Sequence, residues 1–474
     1  MSKFFLNCSL AVPNMIEINQ QLRVADLVPR LSEFWAASAR SIESIAASCP
    51  PGSGSPVFTI EGRYTAKGWT EWTQGFQYGS AILQFDATGD EKFLTLGRER
   101  TLEAMAPHLT HIGVHDHGFN NVSTYGNLWR LMNEGRIAED PWQRNCYELA
   151  LKVTGAVQAA RWSPTRDGGG YIYSFNGPQS LFVDTIRSCR ALAVSHQLGH
   201  ALMGERDEKF SLLDRLVKHA NSTARYNLWY GEGRDAYDLR GRTAHESLFN
   251  TNNGDYRCPS SQQGYSALST WTRGLAWAML GFAEQLEWLA TRGDDELETV
   301  GGRAEIESLF LRAAEATCDF YLDQTPTCGV PYWDTGAPGL AHLDGYLERP
   351  ANPFNAFEPV DSSAAAIAAQ GLLRLGNYLA LRDRPTSQEY RQAAWTIAQT
   401  LLSDLYLSLD PKHQGLLLHS VYHRPNGWDY IPPGRKVPCG EACMWGDYHF
   451  RELALMIERE ATGKPYYTFF GPVS

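Results

Sequence analysis

Apolar residues recur at helical spacing along nearly the whole chain, and the segments so marked come in pairs. Six segments open on small, polar or aromatic residues and run into nearly all-apolar sequence: 72–85, 123–132, 180–198, 269–286, 361–379 and 445–457. Five are followed by a more amphipathic helix, near 91–105, 141–160, 208–220, 304–321 and 389–405. The sixth has no partner after it, but the amphipathic stretch 28–47 (Leu31, Phe34, Trp35, Ile42, Ile45) stands unpaired at the other end. Six inner and six outer helices close a ring, in which each hairpin buries its neighbour's apolar face. The expected fold is therefore all-α, an (α/α)6 toroid, with 1–27 and 461–474 as tails around one catalytic domain spanning 28–460.

In such a ring the first turns of the inner helices surround one mouth. The loops before them are long and chemically varied, whereas the opposite ends, such as Asp86-Ala87-Thr88-Gly89-Asp90, read as plain turns. Function is expected at the mouth.

A net charge of -11 argues against a nucleic-acid partner, which would need a broad basic face. The 14 Trp and 22 Tyr suit flat ligands such as sugars, or a large aromatic core. Nine Cys, an odd number without a framework pattern, predict free thiols in a reducing, cytoplasmic compartment. Cys439 and Cys443 form the one close pair and lack two further zinc ligands at fitting spacing. Met1 to Cys8 makes a poor signal peptide, and no apolar run is long enough to span a membrane.

Two carboxylates stand out. Asp184 follows Leu181-Phe182-Val183, and desolvation there would raise its proton affinity toward the range of a general acid. The competing reading is an acid in the first turn of a helix, held by the dipole. Asp116 sits between His115 and His117 in a loop ending in Gly118-Phe119, placed to orient water or Asp184, or to cap the next helix. His111, His115 and His117 are too nearly adjacent in a loop to converge on one ion, so no metal and no cofactor is expected. His196-Gln197-Leu198-Gly199-His200 resembles a zinc-protease helix, but Gln197 replaces the glutamate base. Gln263 to Trp277 is the richest stretch: Ser269 reads as a helix cap, Trp271 as an aromatic plate and Arg273 as a fork for a carboxylate, while Trp277 reads as core. Asp361 reads as a structural cap.

Taken together these residues resemble the unsaturated glucuronyl hydrolases of glycoside hydrolase family 88. The resemblance runs from Trp72 to Phe450 through His-Asp-x-Gly-Phe at 115–119, Asp184, Gln-Gly at 263–264 with Ser-Thr-Trp-Thr-Arg-Gly at 269–274, Tyr-Trp-Asp at 332–334, Asp-Ser-Ser-Ala at 361–364 and Trp-Gly-Asp-Tyr at 445–448. It implies an (α/α)6 barrel that removes a 4,5-unsaturated uronic acid from the nonreducing end of oligosaccharides left by polysaccharide lyases. It further implies Asp184 as general acid and base, Asp116 as its catalytic partner, and His245, Gln263, Trp271 and Arg273 as sugar contacts, with Trp445 beside them. His245 is assigned because its distance to Gly264 matches the family's. Where family members carry Gly-Phe-Trp, this chain has Gly75-Phe76-Gln77-Tyr78, which moves a stacking platform to Tyr78 or removes it. Gln262 stands where His is common. The nearest rival is the sister family acting on unsaturated galacturonyl-rhamnose. A sugar epimerase and a noncatalytic sugar-binding toroid are the readings from other classes.

Overall fold

The structure, a computed structural model, describes residues 15–67 and 71–471. Met1 to Cys8, three residues of the first mouth loop and the last three of the C-terminal stretch lie outside the described residues.

The paired periodicity becomes a double ring of helices. The outer members are Val28–Ser48, Glu91–Ala104, Pro141–Ala160, Leu212–Tyr226, Arg303–Asp323 and Ser387–Leu401. The inner members are Gln74–Thr88, a composite from His117 to Asn133, the short helices Thr185–Ser188 and Arg190–Gln197, then Thr272–Ala290, Ser362–Ala380 and Met444–Thr462. The inner helices pack side by side in chain order, and Met444–Thr462 closes the ring against Gln74–Thr88. Inner helices bury nearly every residue because helices flank them on both sides, as the apolar runs require.

Two inner elements depart from the expected boundaries. Helical structure in the second begins at His117 rather than Ser123, and Val122–Gly126 is a π-turn within it. Ser180–Phe182 is a strand, paired antiparallel with Glu246–Phe249, which pairs in turn with Tyr256–Ser260. A three-residue strand running into a helix is too short to show its own period, so the sequence reads as one apolar run. Glycine sets the approach of the first three inner members: a Cβ at Gly75 would lie 2.3 Å from the Asn120 carbonyl oxygen, and one at Gly118 2.0 Å from that of Ser188.

The stretches set apart as tails pack against the barrel where they are described. Ile16, Leu22 and Leu27 are buried at one end of the sequence, and Tyr467, Phe469 and Phe470 at the other. Down the barrel axis runs a fully buried ionic network. Arg187 contacts Glu284 and Glu452, and Arg374 contacts Glu287 at 2.6 Å. No helix among the described residues is long and apolar enough to cross a membrane, and every cysteine among them is a free thiol.

Candidate active site

One three-stranded sheet brings residues that are distant in sequence to the mouth. Val183 N–H donates to the His245 carbonyl (2.9 Å), continuing the ladder that sets Phe182 opposite Glu246, so Asp184 and His245 emerge side by side. The third strand leads into Gln262 and Gln263, whose backbone N–H groups donate to His245 Nδ1 at 3.0 and 3.3 Å. Those two donors make Nδ1 an acceptor, leaving the proton of the neutral ring on Nε2. Burial lowers the His245 pKa to about 4, partly opposed by Asp184 and Glu246, so the ring is neutral at working pH.

Asp116 arrives from the neighbouring loop. Its carbonyl accepts from the N–H groups of Phe119 and Asn120, starting the next helix, while its side chain makes no cap bond. His117 is tied to Thr154 Oγ1 (2.7 Å) and to the His111 carbonyl (3.1 Å), and burial lowers its pKa to about 3. It belongs to the scaffold. His115 instead lies between the carboxylates, with Nε2 3.5 Å from Asp184 Oδ2 and 3.8 Å from Asp116 Oδ1. One polar atom of each of His115, Asp116 and Asp184 falls within 4.8 Å of the others, so the three form one buried cluster.

The electrostatics reverse one sequence expectation. Burial does push the Asp184 carboxyl up, but contact with His115 and the field of its ring outweigh it and hold Asp184 below the usual carboxylate range. Asp116 is the raised one, through burial, with His115 opposing and Asp184 reinforcing. His115 is raised despite burial, because both aspartates favour its charged form.

The cluster lies in a cleft of about 540 Å³, open to solvent and walled by Trp72, Phe119, Phe175, Trp271, Trp277, Tyr422, His423 and Trp428, together with Gln262, Gln263 and Arg273. A larger hollow of about 1740 Å³ lies elsewhere on the barrel, but its carboxylates Glu134 and Glu287 are held by arginines and no histidine lines it.

Among the expected contacts, Asp116, Asp184, Gln263 and Trp271 line the cleft, and His245 packs edge-on against Trp271, ring centroids 4.8 Å apart. Three others are placed differently. Tyr78 is buried at the outer side of its helix in a hollow with Ile42, Ile45 and Leu96, remote from the mouth, because its position on the helix turns it toward the outer ring. Trp445 is fully buried behind the wall, stacked on Trp72 at 5.0 Å, with its Nε1 donating to Ser363 Oγ. Arg273 borders the cleft, but its fork is already engaged: Nη1 donates to Asp361 (2.9 Å) and the Val421 carbonyl, Nη2 to Gln263 (3.1 Å) and the Tyr422 carbonyl (2.7 Å). It presents a field and an oriented Gln263 rather than an empty fork. Ser269 does not cap, since the helix starts beyond it with Trp271 at the N-cap.

Sequence reasoning missed His115, Phe175, Tyr422, His423 and Trp428 as site residues. Only the two aromatic-rich mouth loops at 162–179 and 419–444 signalled the last four. His196 pairs with Glu296 far from this cluster.

No family model matches the chain. It is 27% identical over 418 residues to a curated unsaturated glucuronyl hydrolase of Bacillus sp. (strain GL1), spanning 85% of this chain and 90% of that protein. It is 25% identical over 412 residues to an unsaturated chondroitin disaccharide hydrolase of Streptococcus pyogenes serotype M1, 85% of each. The solved structure of the Bacillus sp. GL1 unsaturated glucuronyl hydrolase superposes with a TM-score of 0.68 at 23% identity, covering 94% of this chain and 99% of that one. Over most of its length the chain is similar in sequence to unsaturated glucuronyl hydrolases, and it shares the fold of their solved structure.

Proposed function

We propose that the protein removes a 4,5-unsaturated uronic acid from the nonreducing end of lyase-generated oligosaccharides, by adding water across the C4=C5 bond. The observation that carries this reading is the pair of buried aspartates sharing one imidazole at the base of an aromatic cleft. An oxygen of each carboxylate lies within 4.8 Å of one on the other, so the two act on the same point of a bound ring.

The substrate's vinyl ether supports an economical route. Asp184 protonates C4, and positive charge develops at C5, stabilised by the ring oxygen. Asp184, now ionised, takes a proton from water as its oxygen bonds C5. The hemiketal so formed opens and releases the next sugar. Asp116 is the partner that orients water, and it is favoured in its neutral form by burial. The Nε2–H of His245 and the amide of Gln263 serve as polar contacts to the ring, with Trp271 as its platform. Arg273 contributes positive field and holds Gln263, and Trp445 acts from behind through Trp72. An epimerase would work through a pair of imidazole bases, but His117 has both ring nitrogens tied to the scaffold and His245, with Nδ1 accepting, offers the ring a donor at Nε2 rather than a base.

The relatives' substrates point to oligosaccharides of glycosaminoglycan type, and the free thiols to work in a reducing, cytoplasmic compartment. Incubating the protein with a chondroitin-lyase disaccharide should abolish the conjugated-alkene absorbance. Unchanged absorbance with that substrate and with an ulvan-lyase disaccharide, but loss with an unsaturated galacturonyl-rhamnose, would transfer the chain to the sister activity.

A further inference from the structure

The free-enzyme electrostatics set a problem for the reaction just proposed. Asp184 must deliver a proton, yet its surroundings hold it ionised. The geometry around His115 resolves this. The ring is 1% exposed, stacked on Phe175 at 6.0 Å and edge-on to Phe182 at 5.5 Å. The His115 carbonyl accepts from Ser188 Oγ (2.6 Å) and Gln158 Nε2 (2.9 Å), which fixes the backbone beneath it. Neither ring nitrogen is committed to a hydrogen bond within the described residues. Other imidazoles nearby are committed: His117 to Thr154 and His111, His245 to two backbone N–H groups, and His219 to the Ile172 N–H.

We infer that His115 is a positioning residue that stores the proton Asp184 uses, carrying it on Nε2 in the free enzyme and passing it to Asp184 Oδ2, 3.5 Å away, when an anionic uronate fills the cleft. This rests on the alkene-hydration reading above. The transfer balances within the pair. The Nε2–H bond breaks and its electrons remain on nitrogen, while an O–H bond forms on Asp184, turning an ion pair into two neutral groups. A bound carboxylate drives that step, because added negative charge and lost water both disfavour an ionised Asp184. Asp184 then protonates C4, recovers a proton from the attacking water, and returns it to His115 as product leaves. The groups facing the ring set its balance. Asp116 from its own loop and Asp184 from the adjoining one favour the cation. Arg161, held at the Ile112, Tyr173 and Ser174 carbonyls, opposes it, and the neutral His219 and His245 add little charge.

Two measurements test this. In wild-type protein with 15N-labelled histidine, the His115 ring should titrate as a cation through neutral pH without substrate. It should lose that character in the Asp184→Asn, Asp116→Asn double variant. In His115→Asn, kcat should fall roughly a hundredfold with KM changed less than about threefold, and the basic limb of kcat/KM should move acidward by about one pH unit or more. A His115 ring already neutral below pH 7, or a variant whose pH profile overlies the wild-type curve, would overturn the inference. The wild-type titration needs neither turnover nor a variant, so its failure is distinct from a failure of the proposed reaction, which would show as wild-type protein leaving the alkene intact.

Discussion

Asp184 and Asp116 lie against the same imidazole but are pulled in opposite directions, and that asymmetry decides what their replacement should do. Asp184→Asn removes the group that both gives and takes the proton, so kcat should drop by about three orders of magnitude or more with the substrate still bound. Asp116→Asn keeps a polar partner of similar shape and should cost less, about ten- to a hundredfold. The reverse ranking in steady-state kinetics would exchange their roles. Arg273 carries a different lesson. Its donors tie Asp361, Gln263 and two carbonyls of the 419–444 loop, so a lysine, with one nitrogen, leaves several acceptors unmet. Arg273→Lys should lower stability by about 2 kcal/mol and raise KM together, read by thermal melting and kinetics. A raised KM with unchanged melting would restore the open fork that the sequence suggests. Residue type identified Arg273 as important, but three of its four acceptors, on Asp361, Val421 and Tyr422, lie 88, 148 and 149 residues further along the chain, where periodicity carries no information.

Among the elements, the paired helices were legible because each buries a stripe or a whole surface, and burial leaves its period in the sequence. The short strand at Ser180–Phe182 was not, and it matters more to the site than any one helix: its ladder sets Asp184 beside His245, and the next strand brings Gln262 and Gln263 to that ring. Asp184 and His245 could therefore be named from motifs but not joined by them. The same limit applies to the inner Met444–Thr462 helix, whose Glu452 sits between Arg187 and Arg190 with the hydroxyls of Tyr448 and Tyr467 donating to it at 2.8 and 2.9 Å. Burial would raise this carboxyl, yet the arginines and His449 draw it down to about 2. A folded-state pKa below the unfolded one adds stability above the unfolded value, and that stability is lost as pH falls from about 4.5 toward 2. Glu452→Gln should therefore cost a few kcal/mol at neutral pH and flatten the acid limb of unfolding followed by circular dichroism. An unchanged acid limb would mean that the axial network does not govern acid stability.

At the scale of the whole molecule, the barrel gathers its chemistry at one mouth and seals its axis with buried ion pairs, so a sugar enters and leaves by the same opening. An enzyme working from the chain end fits that shape, and hydration at C5 needs only the nonreducing residue to reach the cluster. Hydration and ordinary hydrolysis at C1 release the same second sugar, but they change different bonds. If Asp184 protonates C4, turnover in heavy water should place deuterium at C4, and labelled water should put its oxygen on C5 of the ring-opened 5-keto product, both read by NMR and mass spectrometry. A saturated methyl glycoside of glucuronic acid should be inert, since it has no alkene to receive the proton. The closeness of Asp116 and Asp184 alone does not separate these routes, because a retaining pair is close too, at about 5–5.5 Å. Cleavage of the saturated glycoside at a comparable rate, or a product without deuterium at C4, would make one aspartate a nucleophile at C1 and leave the proton store at His115 without a purpose.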